Sequence, residues 1–402
     1  MRGWIAIGFA AACYQPANLE NCTVPCGPNR ECPQGYACAS NNLCASNGTC
    51  SVLPADGGPD GPCMRFGHGL FEPCVPPASI MPQLDVSAGN IATLPDASDP
   101  CVTYLQTDMT QVCVLAYQAI SIRGGVTLTG TIPVVLIGAD SVTVDTTGSI
   151  DAASHRGGGI GPGSNPSTCT TENGDSSQSG GGGGAGGTFG ALSGGSGGNA
   201  LDMAAAGGLP ALPVGPPYTI RGGCSGGAGG AGTGTPAMTG GAGGGAVMLM
   251  SSGPITIAGI VNASGAGAAI ALASAGGNGG GAGGFIGLDS DSALYTVTGT
   301  MCALGGGGSS GAESASATTP GLDATPSAAG QHCIPGTGGP GNGGGDGAGG
   351  AGATTGKSAA PGSDATMTLC GGGGGGGGVG AIVTVGVGPI GPSAIDPPPT
   401  SQ

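Results

Sequence analysis

Asp151, His155 and Arg156 are the residues of this chain best spaced for catalysis. An Asp four residues ahead of a His can orient an imidazole for proton transfer, which would suit general acid–base work on a glycosidic bond. The trio also sits where a β-rich stretch gives way to a long small-residue excursion, and Asp is a common turn residue at such a mouth. The turn reading outweighs the catalytic one. The sequence therefore predicts no enzyme and leaves Asp151, His155 and Arg156 as its only catalytic candidates.

Metal and cofactor chemistry find less support. Asp140, Asp145, Asp289 and Asp291 suggest calcium, yet calcium-binding nonapeptides repeat G-G-x-G-x-D in tandem, and Gly343–Gly347 is an isolated approximation. His68 and His332 stand alone along the chain and read as surface residues. Matches to G-x-G-x-x-G are expected by chance among 95 glycines, and no periodic helix follows any of them. The expectation is no metal and no cofactor.

The cysteines carry the clearest covalent chemistry. Sixteen of them point to an oxidising compartment. Cys22, Cys26, Cys32, Cys38, Cys44 and Cys50 fall in a segment too short to bury a core, so cross-links must hold it. No C-x2-C knuckle or histidine occurs there, which favours disulfides over zinc. Cys63 with Cys74 and Cys101 with Cys113 read as local loops, Cys169 and Cys224 as the staple of one excursion, Cys333 and Cys370 as the staple of another. Cys302 is then the free thiol.

With 7 Lys plus Arg against 22 Asp plus Glu, the net charge of −15 excludes nucleic-acid binding through phosphate neutralisation. Arg2, the apolar stretch Ile5–Ala12 and the small residues before Cys13 have the layout of an export signal. That apolar stretch is too short to span a bilayer.

These residues are carried by a repeated cassette. Val126-Thr127-Leu128-Thr129-Gly130-Thr131-Ile132, Ile255-Thr256-Ile257-Ala258-Gly259-Ile260-Val261 and Tyr295-Thr296-Val297-Thr298-Gly299-Thr300-Met301 share the pattern apolar-Thr-apolar-X-Gly-X-apolar. Val142-Thr143-Val144, running on to Gly148-Ser149-Ile150, is a copy with two extra residues. Alternation with Gly at a fixed offset describes strands and tight corners. The predicted fold is all-β, a short parallel β-helix (solenoid) interrupted by long Gly-rich loops and preceded by a small disulfide-rich module. The predicted segments are 1–13, signal; 14–50, Cys-rich module; 51–100, Pro/Gly-rich linker with a small disulfide loop; and 101–402, solenoid with insertions at 156–245, 265–284 and 305–378. In this alignment Thr127, Thr143, Thr256 and Thr296 form an outward column, and Cys302 falls level with Asn262 and Asp151. The glycine tracts read either as mobile loops or as three-residue-per-turn helices packed side by side, and partial order is the expectation.

Several resemblances add expectations. The first thirteen residues resemble a bacterial lipoprotein signal, which implies a lipid on Cys13 and a membrane as partner; Ala10 departs from the Leu usual at that position. Cys32-Pro33-Gln34-Gly35-Tyr36-Ala37-Cys38 resembles EGF-like or Dickkopf-like modules, which implies an extracellular spacer. The Thr column is similar to the surface of ice-binding solenoids, but ordinary cross-strand stabilisation is the stronger account of it. The whole layout resembles Gly-rich surface lipoproteins of the myxobacterial type. That resemblance implies an exported, lipid-anchored surface protein of structural, adhesive or matrix role, with a glycan or cell-surface protein as partner. The alternative is a carbohydrate-active β-helix enzyme acting on extracellular polysaccharide, because such enzymes place carboxylates and basic residues on one face, as Asp151, His155 and Arg156 would.

Overall fold

The computed structural model describes Cys32 and residues 37–38, 44–45, 57–58, 61–98, 101–189, 192–212, 219–232, 238–292, 295–313, 318–327, 332–385 and 394–401. The chain divides into two units, Met1–Met64 and Arg65–Gln402. In the first, Ala37–Cys38 pairs antiparallel with Cys44–Ala45, and Gly57–Gly58 with Gly61–Pro62. Cys13, Cys22, Cys26 and Cys50 lie outside the described residues.

The second unit is all-β apart from two short 3-10 turns among the described residues, Pro77–Ser79 and Leu201–Met203. Most of its strands form three parallel ladders, while Val102–Leu105 pairs antiparallel with Gln111–Val114 and Thr325–Pro326 with Cys333–Ile334. The first runs from the N-terminal half of Gln111–Ile122 through Val134–Val144, Ala246–Ser251 and Phe285–Ser290 to Ala381–Val385. The second joins Leu84–Val86, Ile120–Ile122, Val142–Val144, Ile255–Ile257 and Tyr295–Val297. The third joins Ile91–Leu94, Gly125–Leu128, Ser149–Asp151, Ile260–Asn262, Thr300–Cys302 and Ala394–Asp396.

Burial explains the composition of each ladder. On one face of the first ladder, Leu115, Leu136, Leu249 and Leu288 stack in register and join a core with Ile150, Val261 and Met301 of the third. The opposite face buries Val135, Ile137, Met248 and Phe285 against Phe66, Phe71, Phe189 and Ile220. A parallel sheet covered on both faces reads as a continuous apolar run, which is why Val134–Ile137 and Ala246–Met250 show no alternation. The second and third ladders keep polar residues on the face away from this core and therefore alternate.

The corner glycines follow from close stacking. A Cβ on Gly299 would lie 2.0 Å from the Gly259 carbonyl oxygen, and one on Gly259 would lie 2.2 Å from the carbonyl oxygen of Gly148. Each corner rests on the backbone of the corner before it, so no side chain fits.

Two expectations need correction here. Val126 pairs with Ile150 and Ala92 in the third ladder, so Val126–Ile132 is not a copy of the Ile255 pattern. The true first copy is Ile120-Ser121-Ile122-Arg123-Gly124-Gly125-Val126, and the hydroxyl column is Ser121, Thr143, Thr256 and Thr296, without Thr127. Strands of the second and third ladders have the same alternation, which disguises the slip. Residues 84–94 are also not linker: Leu84–Val86 and Ile91–Leu94 open the second and third ladders, with Val86 and Leu94 buried.

The three glycine-rich excursions leave after third-ladder strands, at Asp151, Asn262 and Cys302, and return to first-ladder strands at Ala246, Phe285 and Ala381. Their described residues pack against one another through backbone hydrogen bonds. Along Gly371–Gly378 the amides of Gly372, Gly375 and Gly378 donate to Gly181, Gly184 and Gly187, while their carbonyls accept from Gly277, Gly280 and Gly283. Gly371, Gly374 and Gly377 donate to Ala312, Ser309 and Gly306 and accept from Gly347, Gly350 and Ala353. Gly373 and Gly376 donate to Ser363 and Ala360 and accept from Gly198 and Gly195. A return to the same neighbour every third residue is the repeat of a polyproline-II-type helix, here with six others around it. A Cβ on Gly374 would stand 1.9 Å from the Asn278 carbonyl oxygen, so only glycine allows this spacing.

Magnitudes show why such a slab needs tethers. Each residue contributes about 1 kcal/mol of net hydrogen bonding against roughly 1–2 kcal/mol of backbone entropy, more for glycine. The tracts do not hold themselves. The disulfide Cys169–Cys224 closes a 55-residue separation inside the first excursion, and a cross-link of that span removes about 4 kcal/mol of unfolded-state entropy.

Candidate functional site

His155 is held between two carboxylates brought from distant parts of the chain. Asp151 ends the strand Ser149–Asp151, and its Oδ2 lies 2.9 Å from His155 Nε2. Asp323, in the third excursion, places Oδ2 3.8 Å from His155 Nδ1. The hydrogen bond to Asp151, then the nearby Asp323 carboxylate, raises the imidazole pKa to about 10, against the opposing effect of burial. Burial works against ionisation of Asp323, but the neighbouring His155 and hydrogen bonds from the amides of Gly267 and Arg156 outweigh it and hold that carboxyl below its ordinary value.

The remaining polar atoms are used in the same way. Asp151 Oδ1 accepts from Asn262 Nδ2 at 3.2 Å and from the Ala153 amide at 3.1 Å. Arg156 Nη1 donates to the Gly321 carbonyl at 2.6 Å. Asp151, His155 and Arg156 thus come together as spaced, but their groups are aimed at protein atoms. An imidazolium with a pKa near 10 and a carboxylate on each side has no free lone pair to act as a base at neutral pH. What the arrangement does is tie the first excursion to the second through Gly267 and to the third through Asp323 and Gly321.

Comparison with family models, with curated proteins and with solved structures finds no match. The geometry alone must carry the functional reading.

The cysteines give a further correction. Cys101–Cys113 and Cys169–Cys224 are bridged, and Cys32, Cys63 and Cys74 are each disulfide-bonded. Cys302, expected to be free, pairs with Cys333, and among the described residues Cys370 is the free thiol. The register behind the expectation is correct, since Asp151, Asn262 and Cys302 are level in the third ladder. The error lay in equating a position that faces away from the core with an exposed one. Cys302 is 0% exposed because the third excursion, which carries Cys333, covers that face. Cys370 is buried, and burial pushes its thiol pKa up. The disulfides point to an exported protein, and no helix of the described residues is long and apolar enough to cross a membrane.

One cluster escaped the sequence reading. His68 meets Asp289 and Asp291, with potential ligand atoms all within 4.8 Å of one another. No spacing rule could have found it, because 221 residues separate His68 from Asp289. The available signal was an Asp directly after the apolar run Phe285–Leu288, within one strand. Asp140 and Asp145 lie elsewhere: Asp140 accepts from Gln118 Nε2 at 2.8 Å, and the Asp145 carbonyl closes the turn to Gly148.

Proposed function

We propose that the chain is an exported, non-enzymatic surface protein whose three ladders wind as a short parallel β-solenoid carrying a slab of polyglycine-II-like segments. The slab serves a structural, adhesive or matrix-packing role. The observation that supports this reading is the environment of Gly371–Gly378, in which every amide and carbonyl is bonded to one of six neighbouring segments. A scaffold that fixes so much side-chain-free backbone suits side-by-side packing with extended chains or glycans through its peptide groups, by the same logic that makes an open sheet edge a template.

The layout also supports anchoring through a lipid on Cys13, with the Cys-rich segment as a spacer. Glycans or cell-surface proteins are the partners that this arrangement would meet. The polysaccharide-cleaving alternative loses support from the His155 clamp, whose carboxylates are engaged within the protein.

The test is solid-phase adhesion of the full chain to extracellular polysaccharide and to cells, beside the variant Asp151→Ala/His155→Ala. Adhesion without release of sugar ends, unchanged in the variant, is the expected result. Glycan cleavage that disappears in the variant would overturn the proposal. Labelling with a fatty-acid analogue, expected for the native chain and absent from Cys13→Ala, tests the anchor.

A further inference from the structure

Asp289 occupies a position where a carboxylate has no place without a compensating charge. Its column in the first ladder reads Ala116, Ile137, Met250, Asp289, Val385. The side chain is 0% exposed. Its Oδ2 accepts the His68 amide at 2.9 Å, whereas Oδ1 has no hydrogen-bond partner. Leaving a buried charged oxygen unpaired is strongly unfavourable or forces the group to take up a proton. Burial is the main force raising the Asp289 pKa, and the nearby acids Asp291 and Glu72 add to it.

The surrounding backbone is shaped to that carboxylate. Gly67 adopts φ +85°, and a Cβ there would meet Asp289 Oδ2 at 2.8 Å and the Phe71 carbonyl at 2.7 Å. Its amide donates to Asp291 Oδ1 at 3.1 Å. The loop thus fixes both carboxylates and swings the His68 ring over them. His68 Nδ1 stands 3.3 Å from Asp291 Oδ1 and 4.0 Å from Asp289 Oδ1.

We propose that His68 Nδ1, Asp289 Oδ1 and Asp291 Oδ1 bind one divalent transition-metal ion of the zinc type. Bonds of ~2.0–2.1 Å to a tetrahedral ion place its ligand atoms ~3.3 Å apart, so the His68–Asp291 edge is already set, and the other two, His68–Asp289 at 4.0 Å and Asp289–Asp291 within 4.8 Å, close on binding. An imidazole with two carboxylates suits Zn2+. Ca2+ takes six to eight oxygen ligands and favours neither the nitrogen nor the small donor set. His68, 62% exposed, leaves a way in for the ion and a fourth position for water. Bound there, the ion would pin the loop carrying Phe66 and Phe71 onto the strand Phe285–Ser290, closing the outer face of the first ladder.

The probes are Zn2+ and Co2+ added singly to the full chain, with Cys370→Ser as background to remove the free thiol. The expected result is one tightly bound equivalent, a rise in melting temperature with Zn2+, and a Co2+ spectrum without a thiolate band. His68→Ala, at an exposed position that should not affect folding, is expected to weaken binding at least about tenfold, as is Asp291→Asn. Asp289→Asn is expected to abolish the Zn2+ effect while leaving the metal-free protein as stable as before or more so. Affinity unchanged in all three variants, or binding only as loose and unsaturable as the net charge of −15 would give, would overturn the proposal. So would preferential binding of Ca2+.

Discussion

The amide of Gly375 donates to the carbonyl of Gly184 at 2.9 Å, joining the third glycine-rich excursion to the first. The Gly375 carbonyl in turn accepts from Gly280 of the second. Three insertions separated along the chain are thereby a single fabric, and its spacing depends on the absence of side chains.

Substitution inside the fabric should therefore be severe. Gly374→Ala forces a methyl to within 1.9 Å of the Asn278 carbonyl oxygen, and overpacking of this kind costs about 1–3 kcal/mol or more. Gly159→Ala, where nothing lies within 4 Å, is the matched control and should stay within about 0.5 kcal/mol. Urea melts of the two variants decide it; equal midpoints would mean that the tract is not packed.

The His155 clamp predicts a pH dependence of definite sign. The folded pKa of about 10 lies above the ordinary 6.5, so the folded state binds the extra proton. Its contribution is full below pH 6.5 and is lost as pH rises through 10. Because the side chain is 39% exposed, solvent screening reduces the effect, to about 1–2 kcal/mol. His155→Gln should flatten the alkaline limb of the stability profile. Asp323 acts oppositely: its lowered pKa contributes above the usual carboxylate range and fails as pH drops through the folded value.

Peptide mapping without reduction should link Cys302 to Cys333 and leave Cys370 as a thiol. Alkylation of Cys370 should be slow until the protein unfolds. Cys302→Ser should cost roughly 3–4 kcal/mol, given the 31-residue separation it opens. A Cys333–Cys370 bridge would contradict this arrangement of the third excursion.

What could be read beforehand follows from where side chains carry information. Thr256 and Thr296 announced their pairing, and Asp151, Asn262 and Cys302 aligned correctly, because inward Ile150, Val261 and Met301 fix the register. Val126 misled because Ser121 replaces the threonine in the true first copy. The slab was illegible in detail, since glycines choose partners through backbone atoms that are identical at every residue. The His68 loop was illegible because its partners lie far along the chain and only the fold joins them.

Hydrogen exchange of the segment Gly371–Gly378 tests the central claim most directly. If the glycine excursions form the packed slab, these amides exchange only with global unfolding and rank with those of Val134–Ile137 in the first ladder. Exchange at the rate of an unstructured chain, while the ladder amides remain protected, would show that the slab does not exist.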